Sequence, residues 1–197
     1  MGNIRIIAGR ARGCKLRTVP GDSTRPITDR VKESLFNILS RDIVGTSFLD
    51  LFAGTGSVGI EALSRGAQFS RFLDTDHFAI QTIKANLTHC RLSDQAEVMR
   101  MDSFQLIKST PDRVFDYIYI APPQYKQIWI RMLQEIDCNP GWMSEDAWVI
   151  VQIHPKEYVQ TMLEQLEETD QRRYGSTLLV FYERGSKDKY GAVTVAH

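Results

Sequence analysis

The sequence predicts an α/β protein, a mainly parallel β-sheet with helices on both faces. Three observations carry that prediction. Short apolar runs alternate with amphipathic stretches through most of the 197 residues, the pattern of repeated β-α-β units. Two of the runs, residues 114–120 and 148–153, are apolar almost without interruption, as strands covered on both faces are. Between an apolar stretch ending at Asp50 and a helical pattern starting at Ser57 lies a tight glycine turn, with Gly54, Gly56 and Gly59 in G-x-G-x-x-G spacing.

The elements follow in chain order. Residues 4–8 and 14–19 read as two short strands of a β-hairpin around Gly9-Arg-Ala-Arg-Gly13. Pro20-Gly-Asp-Ser-Thr-Arg-Pro26 is an irregular loop. Thr28 is placed to cap a helix running to about residue 40, with Val31, Leu35 and Leu39 on one face. Residues 48–51 form a strand and 57–65 a helix, ended by Gly66 just past its last turn. Residues 69–73 are the next strand, and 77–89 a helix that turns Ile80, Ile83 and Leu87 inward. A strand over 97–101, a short helix over 103–109 and the buried strand over 114–120 complete the middle of the chain. A helix over 125–136 follows, with Ile128, Trp129, Met132, Leu133 and Ile136 inward, and then the buried strand over 148–153. The spacing of Tyr158, Val159, Met162 and Leu166 predicts a helix over 155–167, before one or two strands within 172–183.

Length and a hydrophobic content of 43% fit one globular domain over residues 1–197, with a basic segment (1–32) leading into a core (33–197). No apolar run approaches the roughly 18–20 residues of a membrane span, and the N-terminus does not read as a secretory leader. The expectation is a monomer in the cytoplasm, or in an organellar stroma after removal of a transit segment. Cys14, Cys90 and Cys138 are few, odd in number and without metal-ligand spacing, so a reducing compartment, no disulfide and no metal are expected. His77, His89, His154 and His197 show neither metal nor triad spacing and receive no catalytic role; His154-Pro155 closes a strand, where it either lines the crevice or, as the expected reading, serves structure.

The net charge of zero is unevenly spread. Residues 1–32 hold eight Lys and Arg against Asp22 and Asp29, a balance of +6, and the remaining 16 basic and 22 acidic residues give −6. A basic arm on an acidic body points to a polyanionic partner met at one end.

In open α/β sheets the ligand lies beyond the carboxyl ends of the strands, where the strand order reverses. Asp50, Asp74, Asp102-Ser103 and Ala121-Pro-Pro each close one predicted strand, so the topology gathers them in one crevice. The glycine turn lets backbone N–H groups approach a ligand closely. Asp74 lies twenty residues past Gly54, where a ribose-binding carboxylate belongs. Asp102 is placed either to accept from an adenine amine or to cap a helix. Asp50 can order the glycine turn or face a positive amino-acid group. Several carboxylates suit a cofactor with cationic and hydroxyl-rich groups, which favours S-adenosylmethionine over NAD.

Pro122-Pro123 ends a buried strand abruptly and leaves a carbonyl without a strand partner. With Tyr125 nearby to stack on a planar base, that carbonyl can accept from an exocyclic amine and aim its lone pair at a methyl group. The alternative is a rigid turn with Tyr125 in the core. Covalent catalysis by cysteine is disfavoured, because no cysteine adjoins the double proline.

Four stretches resemble one family: residues 5–13, Arg-Ile-Ile-Ala-Gly-Arg-Ala-Arg-Gly; residues 24–33, Thr-Arg-Pro-Ile-Thr-Asp-Arg-Val-Lys-Glu; the glycine motif with its helix, residues 49–66; and Phe115-Asp-Tyr-Ile-Tyr-Ile-Ala-Pro-Pro123. They are similar to the bacterial small-subunit ribosomal RNA guanine-N2 methyltransferases, the RsmD family. The resemblance implies a Rossmann-like class I methyltransferase fold with an antiparallel C-terminal strand, S-adenosylmethionine as donor and an RNA guanine as acceptor. It implies that Asp50, Gly54 and Gly56 lie on the methionine side, Asp74 at ribose and Asp102 at adenine, with Ala53 and Ser103 completing the cradle. Pro122, Pro123, Gln124 and Tyr125 become the catalytic turn, and Arg5, Arg10, Arg12, Lys15, Arg25 and Arg30 the contacts to ribosomal RNA, within an element extending to Lys32.

One departure stands out. The family has Asp or Asn, then Pro-Pro, then Tyr or Phe, whereas this chain has Ala121-Pro122-Pro123-Gln124-Tyr125. The Ala121 side chain cannot accept from the guanine amine, and losing one preorganised partner of this kind costs on the order of 10²–10³ in rate. Gln124 is the residue placed to compensate. Two other readings remain at this stage: an RNA-binding or ribosome-assembly factor that keeps the fold without turnover, and a small-molecule methyltransferase or NAD oxidoreductase, which the basic arm speaks against.

Overall fold

The computed structural model describes residues 4–21 and 27–185. Its seven strands are β1 (Ser47–Asp50), β2 (Phe69–Asp74), β3 (Ala96–Arg100), β4 (Phe115–Ile120), β5 (Met143–Ile153), β6 (Leu166–Tyr174) and β7 (Thr177–Arg184). They form one sheet in the order β3-β2-β1-β4-β5-β7-β6. The first five strands run parallel, and β7 enters antiparallel between β5 and β6. The strand order reverses between β1 and β4, which sets the ligand crevice at their carboxyl ends.

Helices cover both faces. On one lie α1 (Asp29–Leu39), α2 (Ser57–Ser64) and α3 (His77–His89), joined in one apolar core with the N-terminal segment through Ile6, Leu35, Phe36, Ile60 and Ile83. On the other lie α4 (Ser103–Lys108) and α5 (Ile128–Cys138), packed on β4 and β5 through Ile107, Trp129, Met132, Leu133 and Ile136. Thr28 caps α1, accepting the Val31 N–H at 3.4 Å. Gly59 lets α2 lie close on the sheet, since a Cβ there would fall 2.4 Å from the Phe72 ring. No helix among the described residues is long and apolar enough to cross a membrane.

The N-terminal segment pairs as a hairpin, but only at one bridge, Arg5 opposite Lys15, flanked by hydrogen bonds from Ile6 N–H to the Cys14 carbonyl (2.9 Å) and from Leu16 N–H to the Ile4 carbonyl (2.8 Å). The backbone turns instead to α2. Glu61 accepts the N–H groups of Ile7 (2.8 Å) and Ala8 (3.0 Å), and Arg10 N–H reaches the Ser64 carbonyl at 2.8 Å. Gly9, at φ +80°, packs so tightly that a Cβ would lie 1.8 Å from the Ser64 carbonyl oxygen. The arm is thus bolted to the C-terminal end of α2.

Four expectations change. Cys14 and Cys90 are joined as a disulfide, with Cα atoms 6.2 Å apart, whereas none was expected. The count of cysteines says nothing of the fold, which lays the arm across the C-cap of α3. Lys32, counted with the basic arm, is fully buried; its Nζ lies 3.6 Å from Glu61 and donates to the Arg5 carbonyl at 2.6 Å, so it is withdrawn from the RNA-facing element. The helix expected over 155–167 is a single 3-10 turn, Pro155–Glu157, followed by irregular chain and β6. The buried Asp137 carboxylate accepts the N–H groups of Glu164, Gln165 and Leu166, which fixes the start of β6 and leaves Met162 in solvent. Finally, α5 begins at Ile128 rather than at Tyr125. Arg25 lies outside the described residues.

Candidate active site

The crevice is built from the ends of β1 to β5. Asp50 closes β1 and is 1% exposed. Burial raises its carboxyl, N–H groups of Gly59 and Phe52 pull it down, and the charge of Asp74 raises it again, leaving it at about 7. Its Oδ1 has no hydrogen-bond partner, an orphaned acceptor. Next to it the chain turns through Gly54 (φ +54°) and Gly56 (φ +76°), and nothing lies within 4 Å of where a Gly54 Cβ would stand. The turn therefore keeps open space over bare backbone.

Asp74 closes β2 and organises that turn. Its Oδ2 accepts the Gly54 N–H and its Oδ1 the Asp76 N–H, each at 2.9 Å. One lone pair on each oxygen stays available for hydroxyl donors. Asp102, after β3, is a helix cap: Oδ1 accepts from the N–H groups of Phe104 (2.9 Å) and Gln105 (3.1 Å). The cap does not consume Oδ2, so both uses open to Asp102 are compatible. Ser103 is buried and donates its hydroxyl to the Leu51 carbonyl, tying the loop after β3 to the loop after β1. Ala53 donates its N–H to the Leu73 carbonyl at 2.9 Å and so registers the turn on β2.

At the end of β4, Pro122 is buried while Pro123, Gln124 and Tyr125 are exposed. Tyr125 carries φ +63°, and its ring is out of the core at 67% exposure, against the reading as a rigid turn with a core tyrosine. Of the arm residues, Arg10, Arg12, Lys15 and Arg30 are exposed, and Arg5 is exposed but pairs with Asp29 at 2.8 Å. The arm's tip stands at the end of α2 opposite to the glycine turn, an eight-residue helix or about 12 Å away. Its return limb comes back to the crevice: Asn86 on α3 accepts the Arg17 N–H at 2.8 Å and donates to the Thr55 carbonyl in the turn at 2.9 Å.

The family described as conserved hypothetical protein 95 matches residues 4–183. Ribosomal RNA small subunit methyltransferase D of Haemophilus influenzae is 37% identical over 153 residues, 77% of this chain and 79% of that one. The chain belongs to the small-subunit ribosomal RNA methyltransferase D family. The Bacillus subtilis protein YlbH is 36% identical over 183 residues, 92% of this chain and 99% of its own. The solved structure of yhhF from Escherichia coli superposes with a TM-score of 0.84 at 29% identity, covering 94% of this chain and 100% of that one. The Rossmann-like fold and the antiparallel C-terminal strands are those of the methyltransferase D family.

Several residues of the site escaped the sequence reading. Asn86, between Ile83 and Leu87 on the inner face of α3, is a polar residue at an apolar position, which was the available signal. Tyr119 is buried beside Asp50 and donates to Gln152 Oε1 at 2.5 Å; burial and the Asp50 charge keep the phenol protonated. Glu157, hidden within what read as a helix, and His154, at the strand end just before it, lie in the loop after β5 and reach Tyr125.

Proposed function

We propose that this protein is a methyltransferase that transfers a methyl group from S-adenosylmethionine to the exocyclic N2 amine of a guanine in small-subunit ribosomal RNA. The observation that carries the reading is the junction of a buried, unpartnered Asp50 oxygen with an open glycine turn held by Asp74. A cavity wall with a bare carboxylate acceptor fits a ligand carrying an ammonium group. Asp50, Ala53, Gly54 and Gly56 would meet the methionine moiety, Asp74 the ribose hydroxyls, and Asp102 with Ser103 the adenine. When bound, the cofactor supplies a methyl group made electrophilic by its sulfonium.

The protein's own part is positioning. The carbonyls of the Ala121-Pro122-Pro123 turn accept from the amine and draw its lone pair out of conjugation with the ring, while Tyr125 stacks on the base and Gln124 offers an amide oxygen. As the new N–C bond forms, the methyl carbon's bond to sulfur would break with its electron pair left on sulfur, and the amine would release one proton to solvent. A guanine reaches the crevice only when turned out of any base stack. Arg5, Arg10, Arg12, Lys15, Arg25 and Arg30 serve the RNA backbone, and we take the protein to act as a cytoplasmic monomer.

The test is mass mapping of modified nucleotides in ribosomal RNA from cells with and without the gene, with transfer assayed on naked RNA and on assembled subunits. Loss of one N2-methylguanine with the gene is the expected result; an unchanged map rejects the reading. A second reading, a cofactor-fold RNA-binding factor without turnover, is favoured by Ala121 alone. Intact S-adenosylhomocysteine binding with no methyl transfer would select it.

A further inference from the structure

The loop after β5 holds a cluster that this chemistry has not used. Tyr125 (φ +63°) and Gln127 (φ +53°) sit in left-handed backbone conformations, which side chains of this size keep only where their surroundings impose them. Glu157 imposes one of them. Its Oε2 accepts the Tyr125 N–H at 2.7 Å from 32 residues along the chain, and its Oε1 accepts the His154 N–H at 3.3 Å. The His154 ring stands 5.7 Å from the Tyr125 ring, tilted by 40°. His154 Nδ1 accepts the Lys156 N–H at 3.1 Å, which anchors that imidazole as well. A mostly exposed aromatic ring is thus pinned on strained backbone by a carboxylate from another loop.

We propose that Glu157 is a positioning residue for the acceptor base: it bridges the loops after β4 and β5 and presents the Tyr125 ring at the crevice for stacking, with His154 as the buttress beside it. The inference rests on the reading of the protein as a base methyltransferase and extends it. It also accounts for the altered turn. In Ala121-Pro122-Pro123-Gln124-Tyr125 the aromatic comes one residue late, and the left-handed backbone at Tyr125, held by Glu157, changes the direction in which its side chain leaves the chain.

The experiment compares Glu157→Ala, Glu157→Gln, Tyr125→Ala and the double alanine variant in single-turnover methyl transfer to ribosomal RNA, with S-adenosylhomocysteine affinity measured by calorimetry. Glu157→Ala should slow transfer about 10- to 100-fold, the scale of a misplaced reactant, with S-adenosylhomocysteine affinity within about twofold of wild type. Glu157→Gln keeps one acceptor oxygen for Tyr125 and should recover most of the rate. The double variant should be no slower than Tyr125→Ala, because both substitutions remove the same placement. Independent, multiplying losses would overturn the proposal, as would Glu157→Ala at wild-type speed or a large loss of S-adenosylhomocysteine affinity. If the wild-type protein transfers no methyl group, the functional reading falls and the placement is read from binding. The two alanine variants should then weaken affinity for a ribosomal RNA fragment by the same factor, and unchanged affinity in both overturns the inference.

Discussion

Asp50 shows how one residue sets conditions for the whole site. Its folded-state pKa of about 7 lies above the ordinary 3.8, so the folded protein holds the proton more tightly than the unfolded chain does. Stability therefore falls as pH rises from about 4 to about 7 and levels off above that window. Asp50→Asn removes the buried charge and should be more stable than wild type at pH 8 by on the order of 2–4 kcal/mol. The gain should vanish near pH 4, and urea denaturation at the two pH values checks it; a gain independent of pH would show that the carboxylate ionises at no cost. Gly59 offers a steric counterpart. Its Cβ site is 2.4 Å from the Phe72 ring and 2.8 Å from Ser70 Oγ, so Gly59→Ala should push α2 off β2 and lower stability by about 1–3 kcal/mol in the same measurement. Both residues were legible in the sequence, because a motif fixes backbone and spacing together. Glu157 was not, because its importance lies in reaching a distant loop, and nothing in the local pattern around it reports that; of His154 only the place at a strand end was legible, and not its contact with Tyr125.

Among the elements, the arm and α2 behave as one unit through Glu61. That buried carboxylate lies 3.6 Å from Lys32 Nζ, accepts from Arg65 at 2.7 Å and caps two N–H groups of the arm. Burial depresses the Lys32 pKa, and Glu61 holds it up. Glu61→Ala strands a buried ammonium and two backbone donors together, so a destabilisation of about 3–5 kcal/mol is expected in chemical denaturation. The double variant Lys32→Met/Glu61→Gln should be less destabilised than Glu61→Ala alone, since it buries no unpaired ammonium and keeps an amide oxygen for the partly exposed Arg65; a larger effect would contradict the assignment of the cost to Lys32. Five of the strands and all of the long helices were legible from apolar runs and 3.6-residue periodicity, since burial on a sheet face writes itself directly into sequence. The stretch from Tyr158 to Leu166 misled for a physical reason. Its apolar spacing fits a helix, yet Val159 and Met162 face solvent, and the stretch ends where Asp137 collects three N–H groups and β6 finds its partner in β7. Such long-range capture is absent from any local window.

At the scale of the molecule, charge and distance have to be read together. Among the described residues of 1–32, the positive excess belongs to exposed side chains at Arg10, Arg12, Lys15, Arg17 and Arg30, once Arg5 has met Asp29 and Lys32 has been buried against Glu61. The tip carrying Arg10 and Arg12 sits at the far end of α2, about 12 Å from the glycine turn, and the return limb through Lys15 and Arg17 leads back toward it. If the tip holds RNA while a guanine enters the crevice, the strand has to span the length of α2 across the elements that cover this buried helix, and the tip would then act on binding and not on the chemical step. Charge reversal at Arg10 and Arg12 should therefore weaken RNA affinity and flatten its dependence on salt, by about 0.7 in log–log slope for each single-strand phosphate that is no longer neutralised. The rate at saturating RNA should stay close to wild type. A substrate too short to span from crevice to tip should not respond to the two reversals at all. Filter binding across a salt series, set beside single-turnover rates on long and short RNA, separates these outcomes. An unchanged slope would take the tip out of the interface, and a slowed chemical step on the short RNA would place the arm inside the site itself.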